Sequence, residues 1–160
     1  MSVGIFYGSK QGATKAVCEF VASELDAKIF DIKDTKTEEI EKFDVVILAS
    51  SSYGFGELQD NWKEKIHSLL KVDFKDKKVA LIGVGNQERH QDSFCSSLVD
   101  FLPFLKKTNL IGFDDLNGYS FKKSSSFING KFIGLCVDFK GDENWKTRAK
   151  NWCEKLKSQL

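Results

Sequence analysis

The stretch Gly4-Ile5-Phe6-Tyr7-Gly8-Ser9-Lys10-Gln11-Gly12-Ala13-Thr14 runs from apolar residues into a turn of Gly, Ser and Thr, and a helical pattern begins directly after it. Strand, small-residue turn and helix N-terminus in that order build an anion site. The first N–H groups of a helix have no intrahelical partner, and the macrodipole adds partial positive charge at the same end. Glycine lets a ligand approach the backbone, and Ser9 and Thr14 offer hydroxyl donors. The spacing matches neither the nucleotide P-loop, Gly-x-x-x-x-Gly-Lys-Ser/Thr, nor Gly-x-Gly-x-x-Gly. The same order also serves a plain tight turn between a strand and a helix, so the residues that follow must decide.

They alternate apolar strands with amphipathic segments. Val3 to Tyr7 is the first strand. The helix from Gly12 to Leu25 turns Ala16, Val17, Phe20, Val21 and Leu25 inward at helical spacing. Ala27 to Ile32 reads as a second strand and Thr37 to Phe43 as a short helix. Asp44 to Ala49 is the continuous apolar run of a strand covered on both faces. It ends in Ser50-Ser51-Ser52-Tyr53-Gly54-Phe55-Gly56, and a helix is predicted from Glu57 with Leu58, Trp62, Ile66, Leu69 and Leu70 inward. Lys78 to Val84 is a fourth strand, ending in Gly85-Asn86-Gln87-Glu88-Arg89-His90. A helix over Ser93 to Lys106 follows, kinked or ended at Pro103. Asn109 to Gly112 begins a last strand that resumes at Phe132 to Asp138, after an interruption of about twenty mostly polar residues, a length that is often functional. Asp142 to Leu160 closes as a helix with Trp145, Trp152 and Leu156 as apolar contacts.

Five strands alternating with five helices imply one domain over residues 1–160, built on a parallel sheet with helices on both faces. Ligands of such sheets bind outside the carboxyl ends of the strands. All three small-residue loops follow a strand, so they converge on one ligand. One loop is suited to phosphate, and the other two carry planar groups, Tyr53 and His90. A phosphate joined to a stacking ring is the shape of a mononucleotide cofactor.

Composition narrows the class. With 41% hydrophobic residues in 160, the chain can fill one core. No apolar run is long enough to span a bilayer and no secretory signal is read, which points to the cytoplasm. The four cysteines are scattered, without the spacing of a zinc site or disulfide framework. The balance of 24 basic to 23 acidic residues contains no basic run of the kind that binds nucleic acid. His67 has no ligand set around it in sequence, and no Gly-x-Ser-x-Gly nucleophile motif is present. The first strand does not end in an acidic pair, which disfavours a phospho-receiver.

The three loops in order, and in particular Gly54-Phe55-Gly56-Glu57-Leu58-Gln59 followed by Trp62, resemble a flavodoxin over essentially the whole chain. The interrupted fifth strand resembles the long-chain branch. The resemblance implies a three-layer sandwich around a five-stranded parallel sheet in the order 2-1-3-4-5, and a low-potential carrier moving single electrons on non-covalent FMN. Donor and acceptor would be a flavodoxin reductase or other electron-donor enzyme and an acceptor oxidoreductase, and the carrier a monomer. Mapped by motif, Ser9, Lys10, Gln11, Gly12, Ala13 and Thr14 would surround the phosphate. Ser52, Tyr53, Gly54, Phe55 and Gly56 would flank one side of the ring, and Gly85, Asn86, Gln87 and His90 the other. No catalytic or metal-binding residue is implied. The peptide after Gly54 would flip to present a carbonyl to ring N5 when the ring gains a proton there, and glycine tolerates the positive φ this needs.

Three positions depart from the family pattern. Gln11 and Ala13 replace residues with hydroxyl or amide groups, each at a cost of about 1 kcal/mol in lost hydrogen bonding, with Lys10 and Lys15 offsetting it. His90 stands where a tyrosine is usual, and imidazoles commonly titrate near neutral pH. Family members are mostly acidic, whereas this chain is near neutral, with Lys122, Lys123, Lys131, Lys140, Lys146, Arg148 and Lys150 in its last third. Less negative charge eases the second reduction and implies an unusual partner surface. Two rival functions share the fold: an FMN-dependent NAD(P)H:quinone oxidoreductase, and a binding module that has lost FMN.

Overall fold

The computed structural model describes residues 1–160. Strands β1 (Val3–Gly8), β2 (Lys28–Asp31), β3 (Val45–Tyr53) and β5 (Lys78–Gly85) form a parallel sheet in the order β2-β1-β3-β5. A two-residue strand β4 (Glu57–Leu58) folds back antiparallel on the end of β3. The fifth position of the sheet is shared. β6 (Asn109–Leu110) pairs the first half of β5, and β9 (Leu135–Asp138) pairs its second half. This is the parallel sheet with an interrupted edge strand that the resemblance implies.

Alternation along the strands sorts the core into two layers. Val3, Ile5, Tyr7, Val45, Ile47 and Ala49 face helices α1 (Ala13–Leu25) and α3 (Trp145–Lys157). Phe6, Val46, Leu48, Val79 and Leu81 face α2 (Asp60–Lys65) and the 3₁₀ turns Ile66–Lys71 and Ser96–Phe104. Such two-sided burial is what a continuous apolar run requires. No helix is long and apolar enough to cross a membrane.

Four expectations need correction. Glu57 and Leu58 are strand, because Leu58 pairs Ser52 and Glu57 pairs Tyr53; the helix starts only at Asp60, where Gln59 caps it. Leu70 does not point inward: it is 70% exposed, since the turn has tightened to 3₁₀ geometry there. The helix predicted over Ser93–Lys106 shrinks to the 3₁₀ segment Ser96–Phe104. Cys95 enters it at φ 52, and Pro103 inside it has no N–H to continue an α-helical ladder. The second of the predicted helices, Thr37–Phe43, is likewise a 3₁₀ segment, Thr37–Lys42.

The interruption between β6 and β9 is ordered. Phe127–Ile128 (β7) and Lys131–Phe132 (β8) form a hairpin, turned by Asn129 at φ 53 and Gly130 at φ 80, the pair that a two-residue type I′ turn selects. Phe94 receives Tyr119, Phe121 and Phe132 from this segment with ring centroids 5.6, 5.4 and 6.1 Å away. Arg148, expected among the solvated charges, is buried instead. Its Nε donates to Cys136 O at 2.8 Å and its Nη1 to Leu116 O and Asn117 O at 3.2 Å, and its guanidinium lies 3.5 Å over the Tyr119 ring. The side chain thus clamps the insertion to α3.

All four cysteines are buried free thiols. Burial pushes Cys153 up to about 12 and raises Cys18 and Cys95 as well. An aromatic disulfide reagent at pH 8 should therefore titrate no thiol in the native protein and all four after denaturant is added. Rapid reaction without denaturant would show that one of these sites opens.

Candidate functional site

The carboxyl ends of β1, β3, β5 and β9 open onto one cleft of about 320 Å³, lined by Ser9, Gln11, Ala13, Thr14, Ser51, Ser52, Tyr53, Val84, Gly85, Asn86, Arg89, His90, Phe139 and Lys140. Each wall is built by local chemistry. In the first turn Gly12 N donates to Ser9 Oγ at 3.1 Å, and Gly12 sits at φ 90 as the residue before α1. A residue with a Cβ would be strained at that φ. The first N–H groups of α1 and the Thr14 side chain thereby come to one end of the cleft.

The second wall is a hairpin. Gly56 N donates to Tyr53 O at 3.0 Å, and the three-residue loop between the paired Tyr53 and Glu57 has Gly54 at φ 51 and Gly56 at φ 90, backbone that glycine adopts without strain. Phe55 at its tip is 95% exposed. The hairpin is held from below by the residues that follow it. Buried Gln59 accepts from Asn61 N at 2.9 Å and Trp62 N at 3.4 Å, capping α2. Trp62 Nε1 donates to Ala49 O at 2.9 Å. Gly8 completes the arrangement, because a Cβ there would collide with the Gln59 side-chain oxygen and lie 2.9 Å from Trp62. Gly-Glu-Leu-Gln-x-x-Trp is therefore the scaffold of the second wall.

The third wall is a turn in which Asn86 Oδ1 accepts from Arg89 N at 2.8 Å and Asn86 O accepts from His90 N at 2.9 Å. The Gln87 side chain leaves the cleft. It donates to Asp138 Oδ2 at 3.0 Å and accepts from Ser120 N at 2.5 Å, joining this turn to β9 and to the insertion.

Nine of the fifteen residues singled out by sequence line the cleft: Ser9, Gln11, Ala13, Thr14, Ser52, Tyr53, Gly85, Asn86 and His90. Lys10 and Gly12 lie on the outside of the first turn, Gly54 and Phe55 at the hairpin tip. Gly56 packs back toward Ser93 and Ser96, and Gln87 is turned away as described. Sequence reasoning missed Ser51, Val84, Arg89, Phe139 and Lys140. Phe139 and Lys140 directly follow the last strand, so the rule that ligands lie beyond strand carboxyl ends points to them too.

A phosphate-bearing flat ligand fits what the cleft offers. The buried Ser51 hydroxyl has no hydrogen-bond partner in the chain, and a buried polar group left so demands an explanation. Hydroxyl, amide and backbone N–H donors line one end, two planar side chains stand on opposite walls, and no carboxylate is among the lining residues.

A family model described as Flavodoxin matches residues 5–108. A flavodoxin of Buchnera aphidicola is 33% identical over 99% of this chain and 96% of its own length. A flavodoxin of Haemophilus influenzae is 30% identical over 99% and 95%. The crystal structure of Fusobacterium nucleatum flavodoxin bound to flavin mononucleotide superposes with a TM-score of 0.92 at 30% identity, covering 99% of this chain and 98% of that one.

Proposed function

This chain belongs to the flavodoxin family and is an FMN-based electron carrier, not an enzyme; we propose that the cleft just described is where it holds the cofactor. The observation that carries this assignment is the orphaned Ser51 hydroxyl in a donor-lined cleft without a carboxylate. Ser9, Gln11, Thr14 and the first N–H groups of α1 hold the phosphate. Tyr53 and His90 flank the ring, with Ser52, Gly85 and Asn86 beside it. Lys10 and Gly12 act from outside, one by charge and the other by shaping the turn. FMN supplies a ring that accepts and releases electrons singly.

The chain's part is to bind, orient and exclude water. Ser93 Oγ donates to Gly54 O at 3.3 Å, a long bond whose loss costs little, so the Gly54–Phe55 peptide can turn its carbonyl toward a proton at ring N5. Glycine accepts the φ of either orientation. Electrons pass from a reductase or similar donor enzyme to an acceptor oxidoreductase, with the chain acting as a monomer in the cytoplasm. The four buried free thiols support a reducing compartment.

Titration of the apoprotein with FMN and with riboflavin, followed by flavin fluorescence, tests the assignment. Two charge-assisted hydrogen bonds to the phosphate amount to about 3 kcal/mol, so FMN should bind roughly a hundredfold more tightly than riboflavin. Equal affinities would remove the phosphate from the first turn.

A further inference from the structure

A short chain of hydrogen bonds joins the end of β3 to the segment that follows the third wall. Ser97 is fully buried. Its N–H donates to Ser52 Oγ at 3.1 Å, and its hydroxyl donates to Ser51 O at 3.3 Å. Ser52 Oγ in turn donates to Ser97 Oγ at 2.8 Å. The end groups set these directions. A backbone N–H can only donate and a carbonyl oxygen can only accept, so the Ser97 proton goes to Ser51 O and the Ser52 proton to Ser97 Oγ. A hydroxyl has one proton and two lone pairs. Ser52 gives the proton and one lone pair to Ser97, and keeps a lone pair for the cleft that it lines.

Ser97 is itself held in place by the insertion. Cys95, two residues before it, has left-handed backbone at φ 52, and its carbonyl accepts from Ser126 Oγ at 2.7 Å. Ser96 Oγ accepts from Ser125 N at 3.0 Å. The hairpin packs against the other side of the same segment, since a Cβ at Gly56 would lie 2.8 Å from Ser96 Cβ. A polar group fixed before its ligand arrives needs no reordering when the ligand binds.

We propose that Ser97 is a positioning residue for the electron-carrying ring: it holds the Ser52 hydroxyl as an acceptor, so the cleft favours the ring that has gained a proton with its electron. The proposal rests on the cofactor site described under the proposed function. An unprotonated ring nitrogen accepts a hydrogen bond, and the same nitrogen donates one after it takes up a proton. An acceptor on the wall therefore binds the reduced ring better, whereas a hydroxyl with a free proton serves the oxidised ring as well. The difference between the two affinities is the shift in potential.

The test is an anaerobic redox titration of the FMN-loaded protein, with a fluorescence titration of the apoprotein by oxidised FMN beside it. Ser97→Ala keeps the backbone N–H and frees the Ser52 proton. Affinity for the one-electron-reduced ring, relative to the oxidised one, should fall about fivefold, the worth of one neutral hydrogen bond. The first midpoint potential should then drop by about 40 mV, at roughly 59 mV per tenfold for one electron. Oxidised FMN should bind at least as tightly as it does to the wild type. Ser52→Ala, which removes the acceptor itself, should lower the potential too. In that background Ser97→Ala should leave the potential where it was, because Ser97 acts through Ser52. A potential that Ser97→Ala leaves unmoved or raises would overturn the proposal, and so would an equal drop in the absence of the Ser52 hydroxyl. A wild-type protein that takes up no FMN would overturn the cofactor site, and the role of Ser97 with it.

Discussion

Tyr53→Ala should weaken FMN and riboflavin binding alike, by about 2 kcal/mol or roughly thirtyfold, the worth of one ring stacked on another. Tyr53 lines the cleft at the end of β3, where pairing with Glu57 across the hairpin holds its backbone. The ring is therefore presented, and its removal leaves the scaffold of Gln59 and Trp62 in place. Thr14→Val supplies the contrast. The side chain of Thr14 is on the opposite end of the cleft, among the N–H groups of α1, and replacing its hydroxyl by a methyl group leaves shape unchanged. FMN affinity should fall roughly tenfold or more, the worth of one hydrogen bond to a charged group at about 1.5 kcal/mol or above, while riboflavin affinity stays where it was. Two binding isotherms per variant separate the ring end from the phosphate end. A Tyr53→Ala protein that lost FMN affinity and kept its riboflavin affinity would mean that Tyr53 faces the phosphate.

Gly134→Ala should lower stability by about 3 kcal/mol or more, read as a fall of roughly 10 °C in Tm. A Cβ at this position would overlap the carbonyl oxygen of Leu81 and lie 2.8 Å from its carbonyl carbon. Neither side can yield. Leu81 is in the middle of β5 and paired in register with Leu48. Gly134 is pinned on one side by Ile133 N donating to Ser126 O at 2.9 Å and on the other by Leu135 pairing with Ile82. It is the point at which the chain leaves the hairpin and re-enters the sheet. Gly130→Ala is the matched control: a Cβ there meets nothing within 4 Å, so only the strain of φ 80 remains, about 1 kcal/mol. Equal losses in the two variants, measured by thermal or urea unfolding, would show that backbone contact at Gly134 is not the cause.

Most of the fold was legible because strands buried on both faces leave a signal of their own. Val45 to Ala49 and Val79 to Val84 are runs that few other environments accept, and the order of loops after them places the cleft. The helices were less legible. Ser93 to Lys106 has apolar residues at helical spacing, yet Pro103 and the left-handed backbone at Cys95 hold it to 3₁₀ geometry. The hairpin in the insertion was within reach, since Asn129-Gly130 between Phe127-Ile128 and Lys131-Phe132 is a recognised turn signal. The polar residues on either side of the hairpin mask that signal.

By itself the sequence determined the sheet, its edge and the chemistry that meets there, because alternation, apolar runs and glycine-rich turns act over a few residues. It also marked Ser9, Thr14, Tyr53 and His90, which sit on the turns that end strands. Only the tertiary structure decided which way side chains on those turns point. Gln87 turns to Asp138 and Ser120 because those groups offer it both a donor and an acceptor outside the cleft. Arg148 is drawn inward by three carbonyls and a ring supplied by segments far away in the chain. Interactions between residues many positions apart leave no local pattern, since each partner is an ordinary polar residue until the fold brings the other to it.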